Sequence, residues 1–313
     1  MTEIKNRSEI VFLYDIKDAN PNGDPLDENK PRIDEETGIN IVTDVRLKRT
    51  IRDYLHDFKG YNGENEKDIL IREIRDKNDI VKDMKTRARD FGKNKKEIED
   101  NLLKNCIDVR LFGGTVALPK DSVTFTGPVQ FKIGRSLNKV ELKEVGHSFT
   151  MAGKGKNEEG EGPKAGSLAS EYVVNYSLIC FYGIINENAA KHTQLTKSDV
   201  GLLLEGMWNG TKNLISRSKA GQMPRLLLKV NYKEKDYHIG DLDGDEMIKL
   251  VSEKNEEQIR DISEITLDAS KLVEKLNKNK DKIESINLKV DDRVNIDLDG
   301  LDKEIPINEI QIK

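Results

Sequence analysis

The order of apolar segments along the chain constrains the fold more than any other feature of the sequence. Short runs rich in β-branched and aromatic residues are typical of strands, whereas apolar residues that recur every three or four positions are typical of helices. On this basis the chain has the order strand, helix, strand, strand, helix, strand. The segments are residues 10–16, 44–58, 123–133, 172–185, 198–214 and 224–230.

This order predicts an α+β fold on the ferredoxin-like plan, in which two helices cover one face of a four-stranded antiparallel sheet, as in RNA recognition motifs. Two stretches interrupt the plan. Residues 62–104 are mostly charged, with apolar residues at helical intervals, which predicts a mostly helical insertion. Residues 147–170 are rich in Gly, Lys and Glu and are expected to project from the fold. Beyond residue 232 we expect a helix near 270–283 and short strands near the end.

The composition excludes several classes of protein. Cys106 and Cys180 are its only cysteines, so neither a disulfide framework nor a zinc site is expected. The four histidines lie far apart, and no motif for a metal ion or a cofactor is present. No apolar run is long enough to cross a membrane, and the N-terminal segment is not a secretory signal. We therefore expect a cytoplasmic protein with no membrane partner.

The charge is divided unevenly. Residues 1–230 contain 38 basic and 35 acidic side chains, whereas residues 231–313 contain 14 basic and 22 acidic ones, and the net charge is -5. A weakly basic body with an acidic C-terminal region favours local contact with nucleic acid over general cationic binding.

Basic side chains gather at the start of the first helix, although the chain as a whole is acidic. Lys48 and Arg52 lie one turn apart on the same side of that helix, about 6 Å from each other, close to the spacing of phosphates in an RNA strand. Arg32 precedes the helix and is expected to complete a phosphate-binding site. The alternative is an ordinary exposed helix face whose cations pair with Asp44 and Asp53.

A glycine-containing loop before the last strand of the plan offers further groups for phosphate or sugar. Hydroxyls, an amide and unhindered backbone N–H groups suit such contacts. Chain order predicts that this loop lies near the same sheet edge as the start of the first helix. The residues concerned are Ser216, Arg217, Ser218, Lys219, Gly221 and Gln222.

The acidic loop between the first strand and the first helix has two interpretations. Its aspartates could hold Mg²⁺ for phosphodiester cleavage. Four acids in a loop rich in Gly and Pro are also typical of any exposed turn, which is the interpretation we favour. The aspartates are Asp18, Asp24, Asp27 and Asp34.

Five blocks in order make the sequence similar to a known family: NPNGDP, PRIDEETGINIVTDVRLKRTIRDYL, DVRLFGG, TGPVQFKIGRSLN and GQMPRLLLKV. Together they resemble the backbone subunit of type I CRISPR Cascade, the seventh CRISPR-associated protein family, in its subtype I-B branch and close to the I-C branch. The resemblance is dense over residues 10–229 and fades through the insertions and the C-terminal region.

The resemblance implies a non-catalytic protein whose copies assemble along a CRISPR RNA guide with other Cascade subunits and present the guide for pairing with target DNA. It also implies a hand-like architecture. An RNA-recognition-like palm would comprise residues 1–61, 107–133 and 172–232, with helical fingers at 62–106 and a thumb hairpin at 134–171. The acidic region 233–313 is expected to pack partly on the palm.

The resemblance also implies roles for individual residues. Lys48, Arg49 and Arg52 match the helix that contacts guide phosphates, and Arg32 and Thr43 follow from the preceding loop. The resemblance also implies roles for Arg110, Phe149 and Met151, each with an alternative. Arg110 matches a position near the palm, although pairing with Asp108 would give it a structural role. Phe149 and Met151 are candidates to wedge against a displaced base, and ordinary packing is an equal alternative.

Two other classes of protein remain open. Related backbone subunits of type III effectors cut target RNA with a loop aspartate, for which Asp24 and Asp34 are the candidates here. A plain scaffold protein that binds no RNA is the other.

Overall fold

The structure is a computed structural model, and it describes residues 2–118, 121–148, 168–244 and 247–312. The strands are β1 Ser8–Ala19, β2 Gly23–Asp24, β3 Lys30–Pro31, β4 Ile33–Asp34, β5 Ile39–Val42, β6 Gly113–Leu118, β7 Asp121–Thr126, β8 Val129–Phe131, β9 Gly134–Lys139, β10 Leu142–Ser148, β11 Leu168–Ile185, β12 Met223–Tyr232, β13 Lys249–Val251, β14 Thr266–Asp268, β15 Ile283–Val290, β16 Asn295–Asp297 and β17 Ile307–Glu309. The α-helices are α1 Asp44–Lys59, α2 Met84–Ala88, α3 Lys95–Asn105, α4 Ile107–Phe112, α5 Glu187–Thr193, α6 Lys197–Lys212 and α7 Ser270–Lys278.

A large central sheet organises this mixed α/β fold. Its strand order is β17-β15-β12-β1-β11-β9-β5-β4, and β8 and β10 also pair with β11. β1 lies between β11 and β12 and is antiparallel to both, with Phe12 opposite Phe181 on one side and Leu227 on the other. Residues 8–16 of β1 are buried on both faces because both faces of the sheet are covered.

α1 and α6 pack on one face of the sheet. Thr43 caps the start of α1, and Gly60 ends it in the left-handed conformation at φ 73°. The two helices approach closely where α6 carries glycine. A Cβ added at Gly206 would lie 3.0 Å from Ile51, and one added at Gly210 would lie 3.0 Å from Tyr54. The apolar side of α1 and the leucines of α6 thereby form one core with β1 and β11.

The C-terminal region covers the opposite face of the same sheet. Leu13 and Leu228 on that face pack in one cluster with Leu267, Leu272 and other apolar residues from 242–305. A surface that an open four-stranded sheet would leave for stacked bases is therefore buried here.

A buried carboxylate fixes part of this covering layer to the sheet. Glu9 is fully buried and accepts hydrogen bonds from the hydroxyls of Tyr182 and Tyr232, from Ile239 N at 2.9 Å and from Gly240 N at 3.0 Å. The side chain of Glu9 accepts from four donors, so the loop at 239–240 is held in place.

The charged insertion is less helical than its composition predicts. Helices occupy only Met84–Ala88 and Lys95–Asn105, so a mostly helical interpretation is wrong for residues 62–83. Part of this stretch is fixed instead by hydrogen bonds to the buried Asp108, which accepts from Leu70 N and Ile71 N. Here backbone N–H groups donate to side-chain carboxylates instead of to the carbonyls of a helix. Hydrophobic periodicity in the sequence does not reveal these carboxylate partners.

Other predicted elements agree with the structure to different degrees. The segments predicted as β1, α1, α6, β12 and α7 are confirmed. The single strand predicted at 123–133 is wrong, because it divides into β7 and β8 at Gly127 and Pro128. β10 and β11 pair as a hairpin up to Ser148 and Leu168. Phe149 and Met151 lie outside the described residues.

Candidate nucleic-acid interface

Two loops meet where β1 ends and β12 begins. These strands are antiparallel, with Asp15 opposite Met223, so the loop after β1 and the loop before β12 lie at one edge. Asn20 N donates to Ser218 O at 2.8 Å, and Lys219 Nζ donates to Asn20 O at 3.0 Å. The predicted position of the glycine-containing loop is thus confirmed.

The start of α1 is joined to the same edge through Asn22. Both the backbone N–H and the hydroxyl of Thr43 donate to Asn22 Oδ1, each at 2.9 Å. The Thr43 hydroxyl also accepts from Arg46 N at 3.4 Å as the helix cap. Arg32 N donates to Asn22 O at 3.3 Å, which brings a second cation to the edge. One asparagine therefore connects the loop after β1, the residue between β3 and β4 (Arg32) and the start of α1.

Two cations in this interface have no carboxylate partner among the ion pairs of the described residues. Arg46 Nη2 donates to the hydroxyl of Thr50 at 2.9 Å, and Lys219 bonds only the Asn20 carbonyl. Burial lowers the pKa of the Arg46 guanidinium. Burial and then repulsion from Arg46 lower the pKa of the Lys219 ammonium below its ordinary value of 10.5. Two half-buried positive charges that repel each other favour an anion between or beside them.

Unsatisfied polar atoms concentrate at the same place. Buried polar side-chain atoms without a hydrogen-bond partner are rare in folded proteins, because each costs about 1–3 kcal/mol. In the described part of the chain four such atoms belong to residues of this edge: Asn20 Oδ1, Arg32 Nε, Arg46 Nε and Gln222 Nε2. Three of the four are donors, so the arrangement is suited to an acceptor-rich ligand such as a phosphate. We call Asn20, Asn22, Arg32, Thr43, Arg46, Lys219 and Gln222 the cationic edge.

The structure corrects the expected positions of Lys48 and Arg52. Their side chains are not an exposed pair, since Lys48 is 9% and Arg52 8% exposed. Lys48 Nζ contacts Asp44 at 2.9 Å, and Arg52 Nε donates to the fully buried Asp108 at 2.9 Å. Both cations lie over the ring of Phe112. α4 covers this side of α1, and the order of elements alone does not place α4 there.

Arg49 and Arg32 retain partial exposure. Arg49 forms an ion pair with Asp53 at 2.6 Å, as the alternative interpretation of an exposed helix face expects. Arg32 Nη1 donates to Asp24 at 2.6 Å, while its Nε lacks a partner.

Arg110 is engaged within the fold. Its guanidinium makes a bidentate contact with Asp199, at 2.8 and 3.1 Å, and its Nη1 donates to the carbonyls of Leu103 and Lys104. Pairing with Asp108 was the wrong alternative, because that carboxylate binds Arg52 instead. The geometry therefore gives Arg110 a structural role.

The remaining loop residues lie around the cationic edge. Ser216 and Arg217 are exposed, and Arg217 Nε contacts Glu171 of β11 at 3.3 Å. Gly221 has φ 88°, a conformation that favours glycine. Gln222 is 4% exposed, with its amide nitrogen directed at no acceptor.

Sequence reasoning missed part of the cationic edge. Asn20 and Asn22 stand in the NPNGDP block, whose resemblance was noted without a role for either residue. Arg46 has Val42, Thr43, Arg49 and Thr50 at the positions three and four residues away, so it has no helical carboxylate partner. That absence was a usable signal.

Three of the four loop aspartates form ion pairs, Asp27 with Lys30 at 2.9 Å and the other two with arginines. Asp24 pairs with Arg32 and Asp34 with Arg135 at 3.2 Å, and the hydrogen bond from Arg135 is the main cause that lowers the pKa of Asp34. Across residues 2–118, 121–148, 168–244 and 247–312, no group of three or more His, Cys, Asp or Glu side chains is arranged to hold a metal ion. Within those same ranges, no helix has the length and apolar character needed to cross a bilayer.

Comparison with known proteins agrees with the resemblance. A family model described as CRISPR-associated protein Cas7 matches residues 6–270. The CRISPR-associated protein Cas7 of Haloferax volcanii is 34% identical over 318 residues, covering 94% of this chain and 89% of that protein. A chain of a CRISPR RNA-guided surveillance complex in a pre-nicking state superimposes with a TM-score of 0.56 at 13% identity, covering 97% of this chain and 96% of that one. A chain of another CRISPR RNA-guided surveillance complex gives 0.53 at 13% identity, covering 97% and 94%. The structural matches show a shared fold, and the family model and the Haloferax relative show that the chain belongs to the Cas7 family of CRISPR-associated proteins.

Proposed function

We propose that this chain is a non-catalytic, RNA-binding backbone subunit of a type I Cascade complex, of the subtype I-B branch. In this role several copies lie side by side along a CRISPR RNA guide, together with other Cascade subunits, in the cytoplasm. The guide is presented for pairing with target DNA. The observation that carries the proposal is the cationic edge, where two cations form no ion pair with any described carboxylate and three donors lack an acceptor.

The chemistry of the cationic edge suits a nucleic-acid backbone. Arg46 and Lys219 supply charge, and Arg32, Thr43 and Gln222 supply donors at the same edge. Phosphate contacts hold a strand in register without reading its sequence. The sheet face opposite α1 and α6 is covered by the C-terminal region. Stacking of bases on an open sheet therefore does not compete with this mode of binding. Sequence readout is then left to base pairing between the guide and DNA.

The strand order supports a ferredoxin-like palm within the larger sheet. β12, β1, β11 and β8 are successive antiparallel neighbours, and α1 and α6 lie on one face of them. We assign residues 1–61, 107–133 and 172–232 to the palm. Residues 62–106 then form the fingers, 134–171 the thumb and 233–313 a layer on the palm.

The proposal assigns no catalytic group. A loop aspartate that cleaves RNA must present a free carboxylate to Mg²⁺. Asp24 and Asp34 instead bond Arg32 and Arg135, and Asp24 also accepts from Leu26 N within its own turn at 3.0 Å. These contacts favour a structural role for both aspartates.

Co-expression with a CRISPR RNA precursor tests the proposal. The wild-type protein is expected to retain a short RNA of defined size after nuclease treatment. A variant with Arg46→Gln and Lys219→Gln is expected to lose that RNA. A matched control with Lys59→Gln and Lys282→Gln removes two cations whose partners are Glu205 and Glu234, and it is expected to retain the RNA.

Three outcomes would contradict the proposal. Retention of RNA by the Arg46 and Lys219 variant would place the strand elsewhere. Absence of RNA from the wild type would favour the plain scaffold. Mg²⁺-dependent cleavage of complementary RNA that is abolished by Asp24→Asn would favour the ribonuclease.

A further inference from the structure

Three of the four unsatisfied atoms of the cationic edge are hydrogen-bond donors, and the fourth, Asn20 Oδ1, is an acceptor. Asn20 is 3% exposed, and its Nδ2 donates to the Asn29 carbonyl at 2.7 Å. This bond fixes which end of the side-chain amide is oxygen, because only the NH₂ group can donate to a carbonyl. Asn20 Oδ1 is therefore a buried acceptor with no donor. A ligand composed only of acceptors cannot satisfy it.

The sugar-phosphate backbone of RNA contains one kind of donor. Phosphate oxygens and the ring and ester oxygens of the sugar only accept hydrogen bonds, whereas the 2′-hydroxyl can donate, and DNA lacks it. We propose that Asn20 Oδ1 accepts a hydrogen bond from a ribose 2′-hydroxyl, so that the cationic edge selects RNA over DNA. This inference rests on the proposed function, since it concerns the strand that the same edge binds.

The surroundings of Asn20 match one nucleotide of such a strand. Lys219 Nζ lies 3.0 Å from the main-chain oxygen of Asn20, and Asn20 N bonds Ser218 O. The acceptor thus belongs to the residue that the cation contacts. In RNA each 2′-hydroxyl is adjacent to the phosphate on the neighbouring 3′-oxygen, so a cation beside an acceptor suits that pair of groups.

Chemically altered strands test this inference with the full-length protein. Three single strands of one guide-length sequence are compared: RNA, 2′-fluoro RNA and DNA. The 2′-fluoro strand keeps an RNA-like sugar conformation but has no donor at the 2′ position. A neutral hydrogen bond is worth roughly a threefold to tenfold difference in Kd. We expect the wild type to prefer RNA over 2′-fluoro RNA by that factor.

Variants at Asn20 then assign the preference to its oxygen. Asn20→Ala removes the acceptor, and its ratio of Kd values for the two strands is expected to fall to about one. Asn20→Asp keeps an acceptor oxygen but loses the hydrogen bond to the Asn29 carbonyl, so its ratio is expected to lie between those of Asn20→Ala and the wild type, although its charge weakens binding of every strand. Asn188→Ala, on α5 beyond the opposite end of β1, is a matched control expected to keep the wild-type ratio.

The outcomes separate this inference from the proposed function. A wild type that binds RNA and 2′-fluoro RNA equally well would overturn the role of Asn20 and leave RNA binding intact. An unchanged ratio in Asn20→Ala, or equal ratios in Asn20→Ala and Asn20→Asp, would do the same. A wild type that binds none of the strands would defeat the proposed function itself.

Discussion

Neutralising Arg46 and Lys219 is the most informative perturbation of the cationic edge. Arg46→Gln and Lys219→Gln each remove one positive charge and leave a shorter, neutral polar side chain. Neither cation pairs with a carboxylate among the described ion pairs, so the loss leaves no buried acid without a partner. The fold should therefore tolerate both changes, and the effect should fall on binding of RNA.

The size of the effect follows from counterion release. For single strands, log K falls with log[salt] with a slope of about -0.7 for each phosphate that the protein neutralises. Each substitution should make that slope shallower by about 0.7, and the double variant by about 1.4. Between about 50 and 200 mM salt, the wild type should lose roughly sevenfold more affinity than the double variant, because each phosphate contact contributes a factor of about 2.6 over that range.

The assay is fluorescence anisotropy of a labelled guide-length RNA, titrated at several salt concentrations. Lys59→Gln is the matched control, because Lys59 lies in the last turn of the same helix and pairs with Glu205 at 2.5 Å. Its slope should equal that of the wild type. If the double variant and the wild type have equal slopes, neither Arg46 nor Lys219 contacts a phosphate and the reasoning from uncompensated charge is refuted.

Three further predictions concern the buried polar groups. Arg52→Gln leaves the fully buried Asp108 without its cation. Urea denaturation should show a free energy of unfolding that is lower by roughly 3 kcal/mol. A variant of unchanged stability with a shallower salt slope would instead indicate that Arg52 contacts the RNA. Glu9→Ala leaves the hydroxyls of Tyr182 and Tyr232 and the backbone N–H of Gly240 without an acceptor, while Ile239 N keeps only its 3.3 Å bond to the Tyr232 hydroxyl, so the change should cost about 3 kcal/mol or more. An unchanged urea midpoint would contradict the role of Glu9 in fixing the C-terminal layer. Because burial lowers the pKa of Lys219 and a bound phosphate raises it, binding takes up a proton once the pH exceeds the lowered pKa. RNA affinity should therefore decline at a lower alkaline pH than an ordinary lysine would give, and Lys219→Gln should lack that decline.

Local signals predicted the elements that stand at the cationic edge. The apolar run of β1, the Thr43 cap and periodicity of α1 and the glycine-containing loop before β12 each depend on neighbouring residues, and all were predicted correctly. Antiparallel pairing of β1 with β12 then placed the two loops together, because one strand ends where the other begins.

Contacts between residues far apart in the chain determined the features that local sequence patterns did not predict. Arg46 and Arg52 both lack a carboxylate three or four residues away, so local pattern treats them alike. Asp108, 56 residues from Arg52, satisfies one of them, and no described carboxylate satisfies the other. The C-terminal layer was underestimated for a related reason. Apart from α7, its apolar residues lie in short strands and turns that give little periodic signal, and they form a core only when they meet the sheet.

A structure of the protein bound to a single-stranded RNA tests the central claim most directly. We expect a phosphate within hydrogen-bond distance of Lys219 Nζ and of the Arg46 guanidinium, with the Lys219 ammonium drawn from the carbonyl of Asn20. An RNA strand bound at another surface, with Lys219 still bonded to Asn20 and Arg46 still bonded to Thr50, would contradict the claim.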